Sequence, residues 1–220
     1  MGRPSKKTLW IAGAATALVL VTGVGAAAYA AHYADIGLPR ASVAGVSVSG
    51  LTHDQIAEAV DARASQAVLT ATVSGTTTEL RLADLGVTVD AQASADQALA
   101  ANASIMARLT APFHTTQTPL VYSLDEDALA RTGSDLALAA GPAAVESGVS
   151  PDADQGAFVA TRGHAGKGID TAALKEAATA LAETLAPSSA EFTATDVEPT
   201  IAYADAVSAA DAANRLISPE

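Results

Sequence analysis

The stretch AFVATRGHAGKGIDTAALKEAATALAETL, Ala157–Leu185, contains one complete unit of the expected fold. It opens with a short run whose apolar residues are Phe158 and Val159, which predicts a β-strand. The glycine-rich HAGKGID predicts a turn, after which Asp170 or Thr171 is expected to cap a helix. Four apolar residues then recur on one helical face: Leu174, Ala178, Leu181 and Leu185. The stretch therefore predicts a strand, a turn and a capped helix.

The same order occurs upstream, in TPLVYSLDEDALARTGSDLALAA. The run from Leu120 to Leu124 predicts a strand, and Asp125 is expected to cap a helix that reaches about Ala140. The intervening GPAAVESGVSPDADQG is rich in Gly, Pro, Ser and Asp, which predicts a loop between the two units.

Closer to the N-terminus, the sequence predicts a hairpin and a long helix. VLTATVSGTTTELRL alternates apolar and polar residues around Ser74-Gly75, which is typical of a β-hairpin. Apolar residues at helical spacing predict a helix from Ser94 to Leu109, which Pro112 is expected to end.

The segment VAGVSVSGLTHDQIAEAV predicts a strand from Val43 to Val48 and then a helix. Thr52 is a good N-cap, and Gln55, three residues later, completes a capping box. At the other end of the chain, EFTATDVEPTIA predicts a strand and ADAVSAADAANRLI a last helix. Together these patterns predict an α+β fold of small strand–helix units.

An uncharged run, Thr8–Ala31, precedes these units. As a helix it would span roughly 36 Å, enough for a hydrocarbon core of about 30 Å. Basic residues lie before it and no acid does, which predicts a single-pass transmembrane signal anchor at residues 8–31, a cytoplasmic N-terminus and an extracytoplasmic remainder. Ala28-Tyr29-Ala30 also fits the pattern of a cleaved signal peptide, in which case the chain would be secreted.

The charge of the chain argues against some partners. The formal net charge is −12, and after the apolar run the chain carries nine of the 12 basic residues and all 24 acidic ones. Such a surface repels DNA, RNA and anionic lipid headgroups, so no nucleic-acid partner is expected. Because there is no cysteine, a disulfide, a thiolate nucleophile and a Cys-based metal site are excluded.

No sequence pattern predicts a catalytic residue, a metal site or a cofactor. The four histidines lack the spacing of metal ligands: His32, His53, His114 and His164. GHAGKG resembles a phosphate loop, but Gly168 stands where the Walker motif requires Ser or Thr. The acids from Asp125 to Asp127 are interpreted as a charged helix start, favoured by the helix dipole. We therefore expect that this chain is not an enzyme.

Three segments, in order, resemble bacterial cell-wall proteins of the L,D-transpeptidase and vancomycin-resistance-accessory type. SVAGVSVSGLTHDQIAEAV is similar to the segment after their signal anchor, and LADLGVTVD resembles an early piece of their peptidoglycan-binding domain. PAAVESGVSPDADQGAFVATRGHAGKGIDTAALKEAATALAETL resembles the C-terminal half of that domain, where Gly-x-x-(Ile/Val/Leu)-Asp precedes a helix. Those positions are Gly166, Ile169 and Asp170, and the resemblance gives them no ligand role.

The charge pattern, the apolar run and the resemblance together predict a division of the chain into five parts. These are a cytoplasmic basic tail (1–7), the signal anchor (8–31), a stem with the Val-Gly-Val strand–helix segment (32–65), a peptidoglycan-binding domain (66–199) and the start of a second repeat (200–220).

The implied function is a non-catalytic, membrane-anchored extracytoplasmic module that binds peptidoglycan or spaces a protein relative to it. One alternative is the N-terminal region of an L,D-transpeptidase whose catalytic domain lies outside this chain, since that enzyme needs a cysteine nucleophile. Another is a membrane-anchored protein-interaction module with an unknown protein partner. The sequence leaves these alternatives open.

Overall fold

The computed structural model describes residues 25–217, which form an α+β arrangement. Among these residues the helices are α1 (25–32), α2 (His53–Gln66), α3 (Ala91–Ala100), α4 (Ile105–Thr110), α5 (Glu126–Ala137), α6 (Thr171–Thr184) and α7 (Tyr203–Ile217). The strands are β1 (Ala41–Val43), β2 (Val46–Ser47), β3 (Val68–Val73), β4 (Thr76–Arg81), β5 (Val87–Val89), β6 (Thr116–Thr118), β7 (Tyr122–Leu124), β8 (Gly148–Asp152), β9 (Ala157–Thr161), β10 (Gly166–Ile169), β11 (Ser188–Phe192) and β12 (Ala194–Val197). Short 3₁₀ turns follow α3 and α4.

The described residues divide into two compact units that are each discontinuous in sequence. Unit 1 comprises residues 25–66, 89–123 and 182–185. Unit 2 comprises residues 67–88, 124–181 and 186–217.

Unit 1 contains a three-stranded sheet in the order β2-β1-β6, with β1 antiparallel to β2 and parallel to β6. Helices α2 and α3 pack against each other beside it. The single strand predicted from Val43 to Val48 is instead a pair of strands. Ala44 and Gly45 both have positive φ, 45° and 80°, and reverse the chain between β1 and β2. The core of this unit includes Val43, Val48, Ile56, Val60 and Ala95.

Unit 2 contains a sheet in the order β11-β3-β4, in which β3 is parallel to β11 and antiparallel to β4. The hairpin expected around Ser74-Gly75 is confirmed. The strand predicted in EFTATDVEPTIA is interrupted at Thr193, and its two halves, β11 and β12, belong to different sheets. Helix α7 packs on the β8–β9 hairpin. The core of this unit includes Leu69, Val73, Leu129, Leu174 and Leu181.

The helix predicted from Ser94 to Leu109 is interrupted after α3 and resumes as the six-residue α4. Asn102 lies in the 3₁₀ turn between them, is only 2% exposed, and donates from Nδ2 to the carbonyl oxygen of Ile36 at 2.7 Å. A buried amide needs such a partner, and this long-range requirement is not visible in the helical periodicity. Ile105, expected on the apolar face, is consequently 61% exposed.

The fold class predicted from the sequence included a single transmembrane helix at residues 8–31, and the structure corrects this. Within the described residues, 25–217, no helix is both long and apolar enough to cross a membrane, and residues 8–24 lie outside them. In α1, Ala30 is 5% exposed, and its carbonyl oxygen accepts a hydrogen bond from Arg108 Nη1 at 2.8 Å. The prediction relied on the hydropathy of an alanine-rich run, and alanine is as common in protein interiors as in membrane helices.

Candidate functional site

The three motif positions lie together where a strand of unit 2 leads into a helix. Gly166 and Ile169 are the first and last residues of β10, which pairs antiparallel with β12. Asp170 follows, and its Oδ1 accepts a hydrogen bond from the backbone N–H of Ala172 at 2.8 Å. The expected cap of α6 is therefore confirmed, with Asp170 as the capping residue.

Close packing explains the glycines of this segment. A Cβ atom on Gly166 would lie 2.0 Å from the backbone nitrogen of Ala144, and one on Gly168 would lie 2.6 Å from Cγ2 of Val197. The sequence predicted that HAGKGID is a turn, and this is wrong for Gly166–Ile169, which form β10. Neither glycine has positive φ, and the segment extends a sheet. Glycine serves crowded backbones as well as turns, and the sequence does not distinguish the two.

A cavity of about 310 Å³ lies beside the motif and is lined mostly by small residues of α5, β10 and the preceding loop. The charged group among its lining residues is Lys167, whose Nζ lies 2.7 Å from Oδ1 of Asp196. The hydroxyl of Ser134 donates to the carbonyl oxygen of Ala130 within α5. The Lys167 contact ties β10 to β12, and the Ser134 bond lies within α5.

His53, at the start of α2, joins that helix to α3 in unit 1. Its Nδ1 lies 3.2 Å from Oδ1 of Asp54, and its Nε2 lies 3.0 Å from Oδ1 of Asp96. The hydrogen bond with Asp54 raises the pKa of His53, desolvation opposes that rise, and the charge of Asp96 adds to it. The contact between Nε2 and Asp96 becomes an ion pair when His53 is protonated. The two carboxylates therefore favour the protonated form of His53.

The other three histidines lie in separate places. His32 belongs to α1, His114 follows the second 3₁₀ turn, and His164 pairs with Val145 through the main chain. In the part of the chain that the structure describes, no group of three His, Asp or Glu side chains is placed to hold a metal ion.

A groove of about 690 Å³ opens in unit 1, and we call it the unit 1 groove. Three separate pieces of chain form it: the turn between β1 and β2, the segment from β6 into β7, and the end of α6. Its lining includes Gly45, Gln117, Pro119, Tyr122, Glu183 and Thr184.

Main-chain contacts position the side chains of the unit 1 groove. The carbonyl oxygen of Thr118 accepts a hydrogen bond from the backbone N–H of Ala44 at 3.3 Å, which fixes the turn against β6. Tyr122 opens β7 and is half-buried, whereas Gln117 and Glu183 are exposed. The groove thus combines an aromatic ring, an amide and a carboxylate, with no cation among its lining residues. Such a site suits a ligand with apolar faces and hydrogen-bonding groups.

Sequence reasoning did not identify Gln117, Tyr122 or Glu183 as site residues. They come from segments more than 60 residues apart, and none lies in a recognisable motif. The only local signal was a threonine–proline step beside a predicted strand, which indicates an irregular backbone but not a ligand.

The chain matches no protein-family model, and comparisons with curated proteins and with solved structures also gave no match.

Proposed function

We propose that this chain is a non-catalytic extracytoplasmic module that binds peptidoglycan through the unit 1 groove. The observation that carries the proposal is the composition of that groove, with Tyr122, Gln117 and Glu183 around an opening of about 690 Å³. Peptidoglycan offers sugar rings with apolar faces, hydroxyl groups and amides. A tyrosine ring packs on such a face, while an amide and a carboxylate take hydrogen bonds from the hydroxyl groups.

The size and charge of the unit 1 groove support a largely neutral ligand. Ligand sites of about 300–1,000 Å³ bury most of a small molecule, and the groove falls in that range. Its charged lining residue is the acid Glu183, so the groove has no cation to attract a phosphate or a carboxylate. Uncharged sugar rings and amides fit this environment better than anionic ligands.

The order of the segments that resemble cell-wall proteins supports the same conclusion. The first of them, SVAGVSVSGLTHDQIAEAV, contains the β1–β2 turn that forms one side of the unit 1 groove. The chain carries a formal net charge of −12, so attraction to an anionic wall would come from short-range hydrogen bonds. Binding of this kind depends only weakly on salt, because screening acts mainly on separated charges.

Co-sedimentation with purified sacculi tests the proposal, using residues 25–220 so that α1 is retained. The wild-type protein is expected to be retained at physiological salt, and Tyr122→Ala and Glu183→Gln are each expected to reduce retention severalfold. Glu176→Gln is the matched control, since Glu176 is exposed on the same helix as Glu183 but lies outside the groove. Equal retention of all variants would refute the site, and no retention would leave only the spacer role.

A further inference from the structure

Strand β4 lies at the edge of its sheet, with β3 on one side and no strand on the other among the described residues. The register pairs Val73 with Thr76 across a two-residue turn in which both residues have positive φ. In such a hairpin the two residues that flank the turn, Val73 and Thr76, form main-chain hydrogen bonds with each other. Every second residue pair beyond them does the same, and the pairs in between do not. The main-chain N–H and C=O groups of Thr77 and Glu79 therefore point away from β3.

A hydrogen bond of Arg81 supports the conclusion that alternate main-chain groups of β4 point away from β3. By the same alternation the N–H of Arg81 also points away from β3, and it donates to Oδ2 of Asp84 at 2.8 Å. The Asp84 carboxylate thus covers one end of the exposed edge. In the described structure no side chain does the same for Thr77 or Glu79, so two outward-facing residues offer the donors and acceptors that an additional strand would need.

A cavity of about 380 Å³ lies beside this edge, between β4 and α5, and we call it the β4–α5 groove. Three of its apolar lining residues, Val73, Leu80 and Leu136, are buried, and a fourth, Ala139, is exposed. The hydroxyl of Thr132 on α5 donates to the carbonyl oxygen of Asp84 at 2.5 Å, which ties the helix to the segment that follows β4. Side chains of an added strand would therefore contact an apolar surface between β4 and α5.

The charge of the β4–α5 groove indicates which side chains fit it. Three acidic residues line it, Glu79, Asp84 and Asp135, and no Lys, Arg or His does. Because side chains alternate along β4, Glu79 contributes its main chain on this side, and the carboxylates come from Asp84 and Asp135. Arg81 lies on β4 but is not among the lining residues. Asp135 lies in the last turn of α5, where the helix dipole disfavours an acid and where no basic residue compensates.

We propose that β4 accepts an extended, basic peptide segment of a partner protein as an additional strand. The peptide pairs with the main chain of Thr77 and Glu79, as in other cases of β-strand addition. Alternate side chains enter the β4–α5 groove, where the aliphatic stem of a lysine or arginine rests on the apolar lining and its cation reaches the carboxylates. This interaction goes beyond peptidoglycan binding, because the groove belongs to unit 2 and shares no residue with the unit 1 groove.

Fluorescence anisotropy with the full-length chain in mild detergent tests the inference. The probe is a labelled peptide of alternating lysine and valine, Lys-Val-Lys-Val-Lys-Val, and the comparison peptide has glutamate in place of lysine. The lysine peptide is expected to bind at least tenfold more tightly than the glutamate peptide, with an affinity that falls as salt rises. Asp135→Asn and Thr77→Pro are each expected to weaken its binding severalfold or more.

Matched controls separate the contribution of charge to peptide binding from the contribution of main-chain strand pairing. Thr77→Val keeps the outward N–H, and Asp127→Asn changes an acid of α5 outside the groove, so both are expected to bind like the wild type. A lysine peptide methylated on alternate backbone nitrogens cannot pair with an edge strand and is expected not to bind. This probe keeps the test decisive even where Thr77→Pro fails to fold, as checked by circular dichroism.

Three results would overturn the inference. Tight binding of the methylated peptide would exclude strand addition, and equal binding of the glutamate peptide would exclude the charge argument. Self-association of the wild type that Thr77→Pro abolishes, without binding of the lysine peptide, would make a second copy of the chain the occupant of the edge.

Discussion

The side-chain amide of Asn214 and the main chain of Phe158 form a reciprocal pair of hydrogen bonds. Phe158 N–H donates to Oδ1 of Asn214 at 2.7 Å, and Nδ2 of Asn214 donates to the carbonyl oxygen of Phe158 at 2.8 Å. Because Phe158 lies in β9 and Asn214 in α7, this pair fastens the helix to the β8–β9 hairpin. The amide acts here as a backbone group would in a sheet.

Asn214→Ala is expected to lower the free energy of unfolding by about 1–3 kcal/mol, since it leaves a part-buried N–H and C=O without partners. Urea denaturation measures the change. The control is Ser208→Ala on the same helix, whose hydroxyl bonds only within α7 and whose loss should cost no more than about 0.5 kcal/mol. Equal effects of the two changes would contradict the role assigned to Asn214.

Gly166→Ala is expected to destabilise the protein by about 1–3 kcal/mol, because the new Cβ would lie 2.0 Å from a backbone atom that cannot move independently. Gly148→Ala is the matched control, since its Cβ would meet its nearest neighbour at 3.5 Å, an ordinary contact. The midpoint of thermal unfolding compares the two variants. A Gly166→Ala protein as stable as Gly148→Ala would show that the close approach is not required.

The stability of unit 1 is expected to depend on the titration of His53. Its pKa is raised in the folded protein by the hydrogen bond with Asp54 and by Asp96, so the stabilisation is fully present below the unfolded value of about 6.5. It is lost as the pH rises through the folded pKa. Urea midpoints between pH 5 and 8.5 are expected to fall with pH in the wild type and to vary less in His53→Gln.

An NMR titration assigns this effect to the proposed ion pair. The pKa of His53 is expected to fall when Asp96→Asn removes the neighbouring charge, while His114→Gln, which changes an exposed histidine that forms no ion pair with His53, should leave it unchanged. A His53 pKa that is the same with and without Asp96 would disprove the coupling between α2 and α3.

Glu146 is expected to give the opposite pH dependence. Its carboxylate accepts hydrogen bonds from the backbone N–H groups of Ile201 at 2.7 Å and Thr200 at 3.1 Å, and these bonds lower its pKa. The stabilisation is present above the unfolded value of about 4.5 and is lost as the pH falls through the folded pKa. Urea midpoints between pH 3 and 6 should fall more steeply in acid for the wild type than for Glu146→Gln.

Glu176→Gln serves as the control for this measurement, since it removes an exposed acid of α6. The contacts of Glu146 also hold residues 200 and 201, where the sequence analysis placed the start of a second repeat. That interpretation of residues 200–220 stays a prediction.

Local chemistry made several features predictable from the sequence. Asp125 caps α5 by accepting hydrogen bonds from the N–H groups of Asp127 and Ala128, as its position before an apolar helical pattern indicated. The Thr52 N–H donates to Gln55 Oε1 at 3.1 Å, as the capping box predicted. The candidate site was not predictable in this way, because its residues are brought together only by folding.

The sequence by itself determined the elements whose signals lie within a few residues: the Ser74-Gly75 hairpin, the cap at Asp125, a cap at Asp170 or Thr171, and the acidic character of the chain. Tertiary structure alone decided that Gly166 avoids a backbone clash and that β4 has a free edge among residues 25–217. The physical reason is the sequence separation over which each kind of interaction acts. Capping and turn chemistry act between neighbours in sequence, whereas burial, strand order and the convergence of side chains depend on contacts between residues far apart in the chain.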